Sequence, residues 1–303
     1  EENLKQADLP DGSVPIEPEG TAPGFYVDDG SSVLFALPGV PWEMKAMLDK
    51  IVVPLLAERA GGSILVTRHV LVMGLGESAT HQKIADIVEG QSNPTIAFLA
   101  GSGQVRVRIT AKAATEEEAE ALIAPVEEQV RARLGEAAVP GGRASVADAL
   151  GDLLRARRAT VAVAESLTGG GLGAALSETD GASDYFLGSL VVYAASSKRD
   201  VAGIDAAVLE EHGAVSAQTA EALAEGAARR FGADLGLATT GVAGPAEQEG
   251  HPVGTIFVAA FHDGTREVRR VRGYGDRQHV RALAVTSALD LGRRVLQRAD
   301  EPV

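Results

Sequence analysis

A serine, a lysine, a tyrosine and a threonine stand at three places where apolar runs give way to glycine or small polar residues. Ser166 lies in Ala164-Glu165-Ser166-Leu167-Thr168-Gly169-Gly170, Tyr193 is followed five residues on by Lys198, and Thr240 lies in Ala238-Thr239-Thr240-Gly241-Val242-Ala243-Gly244-Pro245. Each place reads as the end of a strand, and α/β proteins usually build their sites at the carboxyl edge of a parallel sheet. The set suits acyl transfer on an amide. A serine hydroxyl is a weak nucleophile until an adjacent group takes its proton, so Ser166 is the candidate nucleophile and Lys198 its base. Tyr193 is a candidate relay between them, and Thr240 a candidate donor to Ser166 or to the developing oxyanion. Lysine usage points the same way. After Lys112 every basic position but one is arginine, and the exception is Lys198. Arginine keeps its charge in any protein setting, whereas a desolvated lysine can lose its proton and act as a base. The plain alternative is a solvated helix lysine with no role in chemistry.

The glycines after Ser166 allow two uses. Backbone N–H groups of Thr168, Gly169 and Gly170, next to a helix start, can hold the phosphate of a mononucleotide, with Glu165, Gly241 and Arg277 as further substrate-binding candidates. Gly169-x-Gly171-x-x-Ala174 also fits a relaxed dinucleotide fingerprint. That motif expects an acidic residue at the end of the next strand, where this chain has Tyr193-Ala194-Ala195, so an oxidoreductase is the poorer reading. Thr239 reads as buried scaffold. The six histidines include no pair at the i, i+4 spacing of a helical metal site, and no protein metal site is expected.

Strands and helices must position these residues. Residues 33–37 form a short strand stopped by Pro38-Gly39, and Glu43 to Glu58 has helical spacing. Ile64 to Met73 reads as a strand and His81 to Glu89 as a helix. Thr95 to Leu99 and Val105 to Ala111 read as an antiparallel pair around Gly101-Ser102-Gly103, and Thr115 opens a helix with Glu118 as its capping partner. Ala137 to Gly142 reads as a linker. A helix capped by Ser145 follows, then strands at Thr160–Ala164, Leu190–Tyr193, Leu235–Thr239, Thr255–Phe261 and Glu267–Gly273. Asp263-Gly264 marks the last two as a hairpin, and Ser216 caps the helix Ala217 to Arg230. Strands alternating with helices predict a layered α/β domain with a mixed sheet. It is preceded by a small α+β domain and a partial α/β domain, with divisions at 1–60, 61–140 and 144–300.

The chain has 303 residues, of which 45% are hydrophobic and 4% aromatic, and it has no cysteine. That composition describes an Ala/Val/Leu/Gly-built α/β protein, and it removes disulfides, thiolate metal sites and cysteine nucleophiles together. Neither a membrane span nor a signal peptide is indicated, so the cytoplasm is the expected compartment and no membrane partner is expected. A net charge of −14 opposes a broad nucleic-acid surface. Arg266, Arg269, Arg270 and Arg272 are the candidate basic patch, but their alternation fits a solvated edge strand better. The chain begins at Glu1 without a methionine, and its opening segment reads as the interior of a domain.

These motifs bring out a resemblance. AESLTGG, the Tyr193/Lys198 pair, Glu211-His212-Gly213-Ala214-Val215-Ser216, TTGVAGP, Pro252-Val253-Gly254-Thr255 and Gly275-Asp276-Arg277 occur in this order in the carboxy-terminal domain of the CinA family. The match covers about residues 144 to 298. Residues 61–140 resemble the family's KH-like middle domain, in which Glu77, Glu116, Glu117, Glu118 and Glu120 favour a spacer over an RNA-binding module. Gly20-Thr21-Ala22-Pro23-Gly24-Phe25 and Leu37 to Met44 resemble the tail of its molybdopterin-binding-like domain. The resemblance implies a nicotinamide-nucleotide amidase of pyridine-nucleotide salvage, acting on nicotinamide mononucleotide or a related pyridine nucleotide, as a homodimer. It needs no cofactor in the amidase domain, and a divalent metal belongs only to a complete amino-terminal domain. The alternative is a non-catalytic nucleotide-binding or competence-linked regulatory protein that keeps the fold.

Overall fold

The computed structural model describes residues 8–101, 103–142 and 145–299. Ser102 of the expected hairpin turn, the first residues of the opening segment and the residues at the 144 and 300 divisions lie outside the described residues. The chain divides into two compact units, one of residues up to 66 with 111–121, the other of 67–110 with the residues from 122 onward.

In chain order the first elements are β1 (Val14–Ile16), β2 (Gly24–Asp28) and β3 (Val33–Ala36), an antiparallel sheet in the order β1-β2-β3. Then come α1 (Pro41–Met47), a π-turn at Leu48–Val52 and α2 (Val53–Arg59). The expected single helix over 43–58 is therefore interrupted. Pro54 has no N–H to return to the preceding turn, and the backbone widens into the π-turn just before it. β4 (Ile64–Met73) is followed by α3 (Glu77–Lys83) and α4 (Ala85–Glu89), where one helix over 81–89 was expected. The break falls at Ile84, whose backbone leaves the helical region (φ −123, ψ 21) as its side chain becomes fully buried. β5 (Thr95–Gly101) and β6 (Gln104–Ala113) pair antiparallel as expected, in a sheet ordered β4-β6-β5. α5 (Glu116–Leu134) has the expected start. Thr115 Oγ1 accepts from the Glu118 N–H at 3.2 Å, and the Glu118 carboxylate accepts from the Ala114 N–H at 3.1 Å.

The expected linker is pinned rather than loose. Val139 donates its N–H to the Leu71 carbonyl at 2.8 Å, Ala138 bridges to Val72, and Val139 is buried. The remaining elements are α6 (Val146–Arg157), β7 (Val161–Glu165), α7 (Gly171–Ser177), β8 (Phe186–Val191), α8 (Ala195–Asp200), α9 (Ala206–His212), α10 (Ala217–Phe231), β9 (Leu235–Gly241), β10 (Thr255–His262), β11 (Thr265–Arg272) and α11 (Arg277–Arg298). Ser145, Ser216 and Asp276 cap α6, α10 and α11 through their side chains.

The sheet order is β11-β10-β9-β7-β8; β7 runs parallel to β8 and β9, and β10 runs antiparallel to β9 and β11. The layered α/β domain with a mixed sheet is present as expected. Strand alternation divides its apolar residues between two faces. Val161, Val163, Leu235 and Leu237 join one core with residues of α6, α7 and α11, while Ala162, Ala164 and Ala238 join another with residues of α10. β11 is an edge strand, and three of its four arginines find partners within the fold. Arg266 donates to Glu225, Arg270 stacks over Phe257, and Arg269 reaches the opposite face to Asp290.

α10 crosses β9 very closely at Gly236. A Cβ there would stand 2.0 Å from the Ala224 carbonyl oxygen, so no side chain fits without moving helix or strand. Gly236→Ala is expected to lower stability by about 1–3 kcal/mol in urea unfolding, the usual range for overpacking. An unchanged midpoint would show that the helix can shift away freely.

Candidate active site

The two faces of β7 diverge at its end. Glu165 continues the register of Val161 and Val163 toward α7, whereas Ser166 continues that of Ala162 and Ala164 toward the opposite face. β9 repeats the pattern, with Thr239 on the Glu165 side and Thr240 on the Ser166 side. Neighbouring residues in one motif therefore enter different surroundings.

On the Ser166 side a cavity of about 150 Å³ is lined by Ser166, Leu167, Lys198, Thr240, Gly241, Glu249 and Arg277 among others. Lys198, in the short helix α8, is 1% exposed. Its Nζ lies 3.1 Å from Ser166 Oγ and also meets the carbonyls of Val192 at 3.1 Å and Tyr193 at 3.2 Å. Burial holds the Lys198 ammonium below the ordinary lysine range, and the nearby Glu249 carboxylate opposes that shift. The arrangement can deprotonate a serine. A neutral amine donates two hydrogens, which suits the two carbonyls, and its lone pair is then directed to the Ser166 hydroxyl.

Tyr193 is placed differently from expectation. β8 ends at Val191, and Tyr193 follows it with 59% of its surface exposed. Its carbonyl meets Lys198, while its hydroxyl accepts from Arg277 Nη2 at 2.8 Å. The phenol is therefore a wall at the cavity mouth and not a relay between Ser166 and Lys198. Thr240 lines the cavity, but its hydroxyl donates to the Ala214 carbonyl at 2.7 Å and is committed there. The oxyanion role expected of that hydroxyl does not fit. Gly241 lies against the backbone of Thr255, where a Cβ would meet the carbonyl oxygen at 2.3 Å. Arg277 stands at the mouth, exposed, and its other nitrogen Nη1 donates to the Gly244 carbonyl.

The glycine-rich turn does not face this cavity. Its anion is internal, because the fully buried Glu165 carboxylate accepts five hydrogen bonds: from the N–H groups of Gly170, Leu172 and Gly173 and from the hydroxyls of Thr168 and Ser189. Of the N–H groups that the sequence offered to a phosphate, that of Gly170 goes to this side chain five residues upstream and that of Gly169 to the Ser166 carbonyl, and the helix-start donors of Leu172 and Gly173 are taken by Glu165 as well. Glu165, Thr168, Gly169 and Gly170 thus shape the Ser166 loop and do not line the cavity. Thr239 belongs to the same network, its hydroxyl 2.7 Å from that of Thr168.

Two residues escaped the sequence reading. Arg281 donates to the carbonyls of Leu167 at 3.1 Å and Thr168 at 2.6 Å, tying the Ser166 loop to α11. Its place one helical turn after Arg277 was the available signal. Glu249 lines the cavity from a turn with no sequence periodicity to mark it.

The family model of the CinA C-terminal domain matches residues 143–296, and that of the damage-inducible protein CinA KH domain matches residues 67–139. A CinA-like protein from Frankia casuarinae is 48% identical over 300 residues, covering 97% of this chain and 69% of the relative. A putative competence-damage inducible protein from Clostridium beijerinckii is 39% identical over 299 residues, covering 97% of this chain and 72% of the relative. A crystal structure of a competence-damaged protein (CinA) superfamily protein from Klebsiella pneumoniae is 32% identical, with a TM-score of 0.49, covering 50% of this chain and 96% of that one.

Burial of Lys198 has a consequence for stability. The folded chain holds that proton less tightly than the unfolded one, so unfolding takes up protons at a pH between the lowered native value and the ordinary 10.5. Stability contributed by this group therefore rises with pH through that window. Wild type is expected to gain on Lys198→Met as pH increases in parallel denaturant titrations. A constant difference would mean that Lys198 keeps an ordinary affinity for its proton.

Proposed function

The chain belongs to the CinA family, and we propose that it hydrolyses the carboxamide of nicotinamide mononucleotide to nicotinic acid mononucleotide and ammonia. The observation that carries the reading is the 3.1 Å approach of Lys198 Nζ to Ser166 Oγ in a site where burial favours the neutral amine. Lys198 takes the Ser166 proton as Oγ attacks the carboxamide carbon. The tetrahedral intermediate places negative charge on the former carbonyl oxygen, for which the backbone N–H groups of Leu167 and Ala243, on the same cavity wall, are the candidate donors. The C–N bond then breaks, and the Lys198 ammonium returns its proton to the departing nitrogen, releasing ammonia. Water attacks the nicotinoyl ester, Lys198 accepts a proton from it and passes one to Ser166 Oγ, and the carboxylic acid leaves. Arg277 at the mouth supports recognition of the phosphate, since a guanidinium has five N–H donors and only two nitrogens are engaged, by Gly244 and Tyr193.

The name of the Clostridium beijerinckii relative refers to competence and damage. A regulatory role without turnover would leave the Ser166–Lys198 contact, with its buried amine, unexplained. Ammonia release from nicotinamide mononucleotide by the purified chain tests the enzyme reading directly.

Ser166→Ala is expected to abolish ammonia release and to leave nucleotide binding within about twofold, because nothing assigns the hydroxyl to binding. Rapid acid quench of wild type followed by peptide mass analysis should find a nicotinoyl ester on the Ser166 peptide. If serine only positioned a water, its loss would lower the rate by roughly 10- to 100-fold and no ester would form.

Lys198→Arg keeps the positive charge but removes the base, and turnover is expected to fall to the background rate. A near-normal maximal rate with weakened affinity would instead make Lys198 a charge partner of the substrate.

A further inference from the structure

Glu249 is held against the cavity by three separate features. Glu249 and Gly250 both take left-handed backbone (φ 52 and 73), and Gln248 and His251 exchange backbone hydrogen bonds around them at 3.2 and 2.8 Å. Positive φ at both central residues is the two-residue hairpin turn that Asn and Gly adopt readily, and a glutamate in the first position is disfavoured. The side chain is tethered outside its own turn, since the Val215 N–H donates to Glu249 Oε2 at 3.0 Å. Gly213 leaves the room for it: a Cβ there would stand 2.5 Å from that oxygen.

The result is a carboxylate fixed on the wall of the cavity that contains Ser166 and Lys198. Among the described residues lining that cavity it is the one carboxylate. Lys198 directs its amine to Ser166 and to two carbonyls, so Glu249 acts on it through space and keeps its own second oxygen free of that contact. Arg277 is turned to Gly244 and Tyr193 at the mouth. A molecule whose amide carbon meets Ser166 places its ring in this small cavity, within the field of Glu249.

We propose that Glu249 is a specificity residue that selects amides borne on a cationic ring, an N-substituted pyridinium, over the same amide on a neutral ring; this rests on the amidase reading of the site. A pyridinium carries its charge at every pH, so the attraction needs no protonation step. At the exposure of Glu249 the field is partly screened, and a unit charge in the cavity gains an affinity of roughly tenfold from it.

Nicotinamide mononucleotide and its dihydro form share amide, sugar and phosphate and differ in ring charge. Calorimetric binding of both to Ser166→Ala, with and without Glu249→Gln, reads the effect without turnover. The glutamine keeps an acceptor for the Val215 N–H and so keeps the turn. Glu249→Gln is expected to weaken the oxidised nucleotide by roughly tenfold and to change the reduced one by less than about twofold. In the active background the same substitution should lower kcat/KM for the oxidised nucleotide by a similar factor. Equal weakening of both nucleotides, no change in either, or failure of both to bind overturns the proposal. Charge-selective binding with no ammonia release by wild type would refute the amidase reading and leave the selectivity of Glu249 standing.

Discussion

The Glu165 carboxylate is the anion around which the reactive loop folds. A helix start leaves N–H groups without partners, and a buried carboxylate needs donors to offset its loss of water. Here each requirement is met by the other. Gly170, Leu172 and Gly173 supply the backbone donors, Thr168 and Ser189 the hydroxyls, and the turn between β7 and α7 has to take the path that brings four of the five to one side chain, Ser189 joining from β8. Gly170 runs through that turn at φ 100, where a side chain would be strained. Arg281 closes the loop from outside by holding the carbonyls of Leu167 and Thr168. Ser166 is therefore presented by a loop whose Thr168 hydroxyl, Gly170 N–H and Leu167 and Thr168 carbonyls are committed to its support.

That commitment separates support from chemistry by the two-residue period of a strand. Glu165 and Thr239 face one side of the sheet and form the support; Ser166 and Thr240 face the other and border the cavity. The same period explains why one motif can hold both kinds of residue without conflict. It also explains the small residues behind Ser166. Ala162, Ala164 and Ala238 allow α10 to lie close to the sheet, and Gly236 allows its closest crossing.

The mixed sheet, the hairpin at Asp263-Gly264 and the caps of α6 and α10 were legible because each depends on local chemistry: alternation of strands and helices, a turn that needs positive φ, and a side-chain acceptor for orphan N–H groups. The approach of Ser166 to Lys198 was legible because both sit just past strands that pair in parallel. The glycine turn was misread for a definite reason. Sequence shows that a helix start wants an anion but not which one, and the neighbour Glu165 was counted as a ligand for substrate when alternation already placed it opposite Ser166. Tyr193 was misplaced because the strand was extended by two residues, which carried its hydroxyl toward Lys198 when only its carbonyl goes there. Glu249 had no signal, since its position follows from a turn and a hydrogen bond to a residue 34 positions away.

The surroundings of Lys198 show why a lysine, and not an arginine, suits this position. Nζ is a single atom, and three acceptors converge on it from the Val192 and Tyr193 carbonyls and the Ser166 hydroxyl. An ammonium would donate to all three and leave Ser166 with its proton. A neutral amine satisfies both carbonyls with its two hydrogens, and the lone pair that remains has one direction left, toward Ser166 Oγ. The carbonyls thus do more than compensate for burial: they orient the base. A guanidinium spreads its donors over a plane, cannot bring them to one point and cannot give up a proton under these conditions. Burial and carbonyl placement act together here, one lowering the affinity for the proton and the other aiming the site that will receive it.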